Sequence, residues 1–147
     1  MTTPSLLLAV MVAFAPWTRD EGVRVFVYTA TSASGQHTDE EKGRLDAVDE
    51  VRDALRRKKG LTIVDDRSRA QVQVEITSRE QLEPPQGGFG GKMLTGLGDF
   101  IIRVNVSAGG ARSEIKGLGQ GNWGRAAKDG ADRILKWIAR HEPKTDR

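Results

Sequence analysis

The chain has 147 residues, 23 Lys and Arg against 20 Asp and Glu, a net charge of +3 and no cysteine. That length suits one domain able to bury a core, and the mixed charge leaves little electrostatic footprint for nucleic acid or anionic lipid. With no cysteine, disulfides, thiolate metal sites and lipid attachment through a thiol of this chain are all excluded.

No charged side chain precedes Arg19, and beyond it about one residue in three is charged. The apolar run Leu6 to Ala15 is ten residues long and ends in Ala13-Phe14-Ala15. A bilayer-spanning helix needs about 20 apolar residues, so this run suits a secretory signal peptide better than an anchor. The expectation is a signal peptide over 1–15, a linker over 16–21 and a secreted or periplasmic destination. The alternative is a cytoplasmic protein that buries the run as a strand or helix. Met1 to Ser5 lacks Lys and Arg, and Pro16 follows the expected cleavage point.

Gly22 to Thr29 alternates β-branched and other residues and reads as a first strand. A small-residue loop leads to Thr38-Asp39-Glu40-Glu41, a capping box in which the Thr38 hydroxyl and the Glu41 carboxylate satisfy each other's backbone N–H groups. Leu45, Val48, Val51 and Leu55 then share one helical face. The helix ends in Arg56-Arg57-Lys58-Lys59 and Gly60, so acidic and basic ends both complement the helix dipole. Leu61 to Val64 is a short second strand, and Ala70 to Thr77 a third that faces Val72, Val74 and Ile76 inward. Pro84 to Gly91 cannot continue a sheet and opens a loop that reaches Gly98. Phe100 to Ser107 is a fourth strand burying Ile102, Val104 and Val106, and Gly109-Gly110 turns into a weaker fifth around Ser113 to Leu118. Asn122 caps a last helix from Trp123 to Arg140, whose apolar stripe is Trp123, Ala127, Ala131, Ile134, Leu135 and Ile138.

The order β-α-β-β-β-β-α predicts an α+β two-layer sandwich over 22–140, with a flexible tail over 141–147. Its sheet has about five mixed or antiparallel strands and carries both helices on one face. The other face is expected to present Arg24, Phe26, Tyr28, Gln71, Gln73, Glu75, Arg103 and Asn105. With Phe89 at the tip of the 86–98 loop, these are the candidate partner-binding residues.

Catalytic, cofactor and metal motifs are weak. Gly119-Gln-Gly121-Asn-Trp-Gly124 matches G-x-G-x-x-G between a strand and a helix, but no second parallel strand follows to hold a ribose. A tight glycine turn anchored by Trp123 is the expected reading. Gln86 to Lys92 fails the phosphate-loop pattern at both ends. Neither His37 nor His141 has a second histidine at helical spacing, so no zinc site is expected. Asp65-Asp66 ends a strand with its carboxylates on opposite faces, beside Arg67 and Arg69, and reads as a capped turn. Val25-Phe-Val-Tyr28 offers aromatics on one strand, whereas an RNA-binding sheet needs more of them on a central strand.

In element order, residues 22–140 resemble a group of bacterial exported α/β domains. The group includes the N-terminal domain of the Tol translocation protein, the curli secretion lipoprotein and lipoproteins that activate peptidoglycan synthases. The resemblance rests on the β–α opening, Gly60-Leu-Thr-Ile-Val-Asp65, Arg69-Ala-Gln-Val-Gln-Val74, the hairpin Phe100–Val106 with Ile115–Leu118, and the final helix. Gln71 stands where such domains often have Asp, and the lipidation cysteine is missing. The resemblance implies an envelope-associated binding module and assigns no functional residue. The expected function is thus a non-catalytic exported domain that binds another envelope protein, with no cofactor and no nucleic acid. The alternatives are a small hydrolase or nucleotide-binding enzyme using Asp65, Asp66 or the glycine turns, and a single-stranded nucleic-acid binder.

Overall fold

The computed structural model describes residues 22–32, 34–82 and 98–141. The expected leader and linker, Phe89 with nearly all of its loop, and the tail after His141 lie outside the described residues. The elements are β1 (Val23–Thr29), α1 (Asp39–Arg56), β2 (Leu61–Ile63), a single 3₁₀ turn (Arg67–Arg69), β3 (Val72–Leu82), β4 (Asp99–Ala108), β5 (Ala111–Gln120) and α2 (Trp123–His141). The strands form one sheet in the order β2-β1-β3-β4-β5. β1 runs parallel to β2 and β3, and the β3–β4 and β4–β5 pairs are antiparallel. The expected α+β sandwich with a mixed five-stranded sheet is the fold of this chain.

Both helices lie on the same face. The core beneath them is Val25 and Val27 of β1, Val72, Val74 and Ile76 of β3, Ile102, Val104 and Val106 of β4, and Ile115 of β5. α1 adds Ala47, Val48, Val51 and Leu55, and α2 adds Ala126, Ala127, Ala131, Ile134, Trp137 and Ile138. The capping box forms as expected: the Glu41 N–H donates to Thr38 Oγ1 at 3.2 Å and the Thr38 N–H to Glu41 Oε2 at 3.1 Å. Two expected stripes shift by a residue or two. Ala47 is fully buried where Leu45 is half-buried, and Trp137 is buried where Leu135 is half-buried. In each case the face wraps further round the helix than a three–four spacing marks.

β3 runs five residues past its expected end at Thr77 and β5 spans ten residues instead of six. Ser78-Arg-Glu-Gln81 has little intrinsic strand preference, so its strand state is imposed by pairing with β4. A bulge between Ile76 and Ser78 resets the alternation, and Arg79, opposite Ile102, faces the helices. There its guanidinium bonds Glu50 of α1 at 2.8 Å and lies 3.8 Å over the Trp123 ring, which also packs edge-on against Phe100.

α2 sits against β5 through glycine. A Cβ on Gly119 would lie 2.3 Å from the Ala126 nitrogen, and one on Gly117 2.4 Å from the Ala126 oxygen. The motif that mimics a dinucleotide fingerprint is therefore the tight strand-to-helix junction expected of it, with Asn122 Oδ1 accepting the Arg125 N–H at 2.8 Å.

Candidate interaction face

Strand alternation sends every second residue to the face opposite the helices, and register aligns those residues in rows across the sheet. Phe26 pairs with Gln73, and Gln73 with Ser107; Tyr28 pairs with Glu75, and Glu75 with Asn105. Arg103 follows one row further along β4. Arg24, Phe26, Tyr28, Gln73, Glu75, Arg103 and Asn105 are thereby brought onto one face, as their positions in the sequence predict. Gln71 precedes β3 and is used locally: its Oε1 accepts the Arg24 N–H at 3.0 Å and its own N–H donates to the Arg24 carbonyl at 2.9 Å.

The centre of this face is an aromatic and cationic cluster. The Phe26 and Tyr28 rings stack with centroids 5.4 Å apart. The Arg67 guanidinium lies 4.8 Å from the Tyr28 centroid, donates to Gln73 Oε1 at 3.0 Å and reaches the Tyr28 hydroxyl at 3.4 Å. The Tyr28 hydroxyl in turn points to Glu75 at 3.5 Å. Arg67 is not foreseen in the sequence because it comes from the turn before β3, and only the fold places it over β1.

Past the bulge the face turns apolar. Ile101 sits between Glu80 on β3 and Leu118 on β5, one row from Leu82. Leu82 and Leu118 are 50% and 46% exposed, the two large apolar side chains most open to solvent among the described residues. Beside them Arg103 bridges Glu80 at 3.7 Å and Glu114 at 3.5 Å. On β3 the alternation that sends Glu80 and Leu82 to this face depends on the bulge, whereas Ile101 and Leu118 reach it by the unbroken alternation of β4 and β5. The face thus combines an apolar strip with ordered, alternating charge.

The other candidate chemistries resolve into structure. The Asp65 and Asp66 carboxylates part company: Asp65 pairs with Arg52 on α1, and Asp66 caps the 3₁₀ turn by accepting from Ser68 Oγ at 2.7 Å and the Ser68 N–H at 2.9 Å. Those bonds hold the Asp66 carboxyl below its ordinary range, the hydroxyl contributing most. Glu41, the one charged residue buried among the described residues, accepts from the Ser32 N–H at 2.7 Å and from Thr38, and lies 3.3 Å from the Ser32 hydroxyl and from His37 Nδ1. Its pKa is lowered, first by the Ser32 backbone bond. His141 closes α2, stacked on Trp137 at 4.2 Å. Among the described residues no three His, Asp or Glu side chains gather as metal ligands, and no helix is long and apolar enough to cross a membrane.

No protein-family model matches this chain, and no curated protein matches it.

Proposed function

We propose that this chain is an exported, non-catalytic envelope domain that binds another protein through the sheet face opposite its helices. The observation that carries the reading is the pairing of that helix-free face with its content: an Arg67–Tyr28–Phe26 cluster on the β1 side and, two and three rows further along on the β5 and β3 side, the exposed Leu118 and Leu82. Apolar and aromatic anchors ringed by polar groups are what protein partners bury. The Tyr28 ring already holds Phe26 and Arg67, which favours a protein surface over stacked nucleobases as the occupant. Export is supported by the Leu6–Ala15 run with its small-residue ending. The likeness in element order to exported binding domains of the Tol, curli and peptidoglycan-synthase systems points the same way.

The test replaces Arg24, Tyr28, Gln73 and Arg103 together by Ala and compares proteins captured from envelope extracts with those captured by the unaltered chain. Thermal melting verifies that the variant remains folded. The reading expects a discrete captured protein to be lost. An unchanged set of captured proteins overturns it.

A further inference from the structure

β5 forms one border of the sheet and presents ten residues of backbone to whatever lies beside it. Its odd-numbered residues direct their N–H and C=O groups to β4, and the Gly121 N–H bond to the Gly98 carbonyl continues that register. Its even-numbered residues therefore direct theirs outward. At the C-terminal end α2 takes two of these groups: Asp129 Oδ2 accepts the Leu118 N–H at 2.9 Å and Arg125 donates to the Gln120 carbonyl at 3.1 Å. At Arg112, Glu114 and Lys116 no group among the described residues bonds the outward backbone. Half of the edge is sealed and half is open. The open half carries alternating charge, with Arg112, Glu114 and Lys116 all exposed on the helix-free face.

We propose that this open half pairs antiparallel with the same strand of a second copy of the chain, about a two-fold axis at Ser113. In that register Arg112 of each copy lies directly opposite Glu114 of the other, so the interface makes two identical opposite-charge cross-strand pairs. The two Ser113 residues face each other, and Lys116 meets Gly110 at the other copy's hairpin turn. Pairing stops short of Leu118, where Asp129 already holds the N–H. Neighbouring registers fail on the same facts. An axis at Glu114 sets Glu114 against itself and Arg112 against Lys116, and like charges directly opposite are destabilising. An axis at Ile115 requires Arg112 to bond at the sealed Leu118. A charged edge repels strands lacking a matching pattern, and here the pattern matches itself. The product is a ten-stranded sheet with both helix pairs on one side and one continuous helix-free face.

Sedimentation of the full chain at up to millimolar concentration tests this, with three companions. The unaltered chain dimerises reversibly. Arg112→Glu turns both pairs repulsive and weakens the dimer by about tenfold or more. Arg112→Glu with Glu114→Arg restores the dimer by exchanging the charges. A chain that stays monomeric at millimolar concentration, an Arg112→Glu dimer of unchanged strength, or no recovery in the double variant overturns the proposal. The first of these outcomes leaves the edge to a strand of another protein. A second measurement uses the absence of native cysteine. Facing residues of this pair type have Cα atoms about 4.5 Å apart, within disulfide reach. Ser113→Cys treated with diamide forms a covalent dimer well ahead of Arg57→Cys, at the exposed residue just past α1. Equal crosslinking of the two overturns the proposal.

Discussion

Replacing Gly119 by Ala tests how closely α2 lies on β5, the contact that brings Asp129 and Arg125 to the sheet edge. The new Cβ would stand 2.3 Å from the Ala126 nitrogen and 2.9 Å from the Ala126 Cα and the Arg125 carbonyl carbon. All three are backbone atoms, so no side chain can rotate aside. Relief to an ordinary 3.4 Å contact requires α2 to lift by about 1 Å. That lift separates Ala126, Ala127, Ile134 and Ile138 from the sheet and forfeits part of their close-packed attraction. Overpacking a core typically costs about 1–3 kcal/mol, and a clash borne by two backbones belongs at the upper end. About 3 kcal/mol corresponds to a fall of about 10 °C in Tm for a domain of this size. Gly110→Ala is the control, because no atom of the described residues lies within 4 Å of its Cβ and its φ is not left-handed. Differential scanning calorimetry of both variants decides the matter. A Gly119→Ala protein melting within a degree or two of the unaltered chain refutes the close approach.

Gly43→Ala, inside α1 with only Arg79 Cδ near its Cβ at 3.8 Å, should stabilise the protein by about 0.5–1 kcal/mol in urea titration, because Gly is the poorer helix former. Arg79→Met removes the bond to Glu50 and should cost about 2 kcal/mol. Since Glu50 Oε2 has no partner among the described residues, Arg79→Met with Glu50→Leu should recover part of that loss. Glu41, Asp66 and Asp132 all have lowered pKa values, from the Ser32 backbone bond, the Ser68 hydroxyl and the Lys58 ammonium respectively. Carboxyls with folded values below their unfolded ones contribute stability that is present above the ordinary range and lost as pH falls through the lowered values. The urea midpoint should therefore hold steady above the ordinary Glu value of 4.5 and fall below it, more gently in Glu41→Gln.

The fold was legible wherever one residue type did one job. Thr38 to Glu41 capped a helix, Val72, Val74 and Ile76 alternated, and Gly109, with φ at 58°, turned a hairpin. The helix-free face was legible for seven residues because strand parity alone assigns them. What stayed hidden depended on partners far along the chain. Ser78 to Leu82 becomes strand only against β4, and the bulge in β3 that turns Arg79 inward and Glu80 and Leu82 outward has no signature in Ile-Thr-Ser. Arg67 joins Tyr28 across 39 positions of sequence. Gly117 and Gly119 are plain glycines until α2 is laid on them.

Site-specific photocrosslinking in living cells addresses the proposed binding face most directly. A crosslinking amino acid at Asn105, in the middle row of the helix-free face, is compared with one at Asp49 on the solvent side of α1. The account predicts a discrete crosslinked protein from position 105 and none from position 49. The same product from both positions, or a product from position 49 alone, contradicts it.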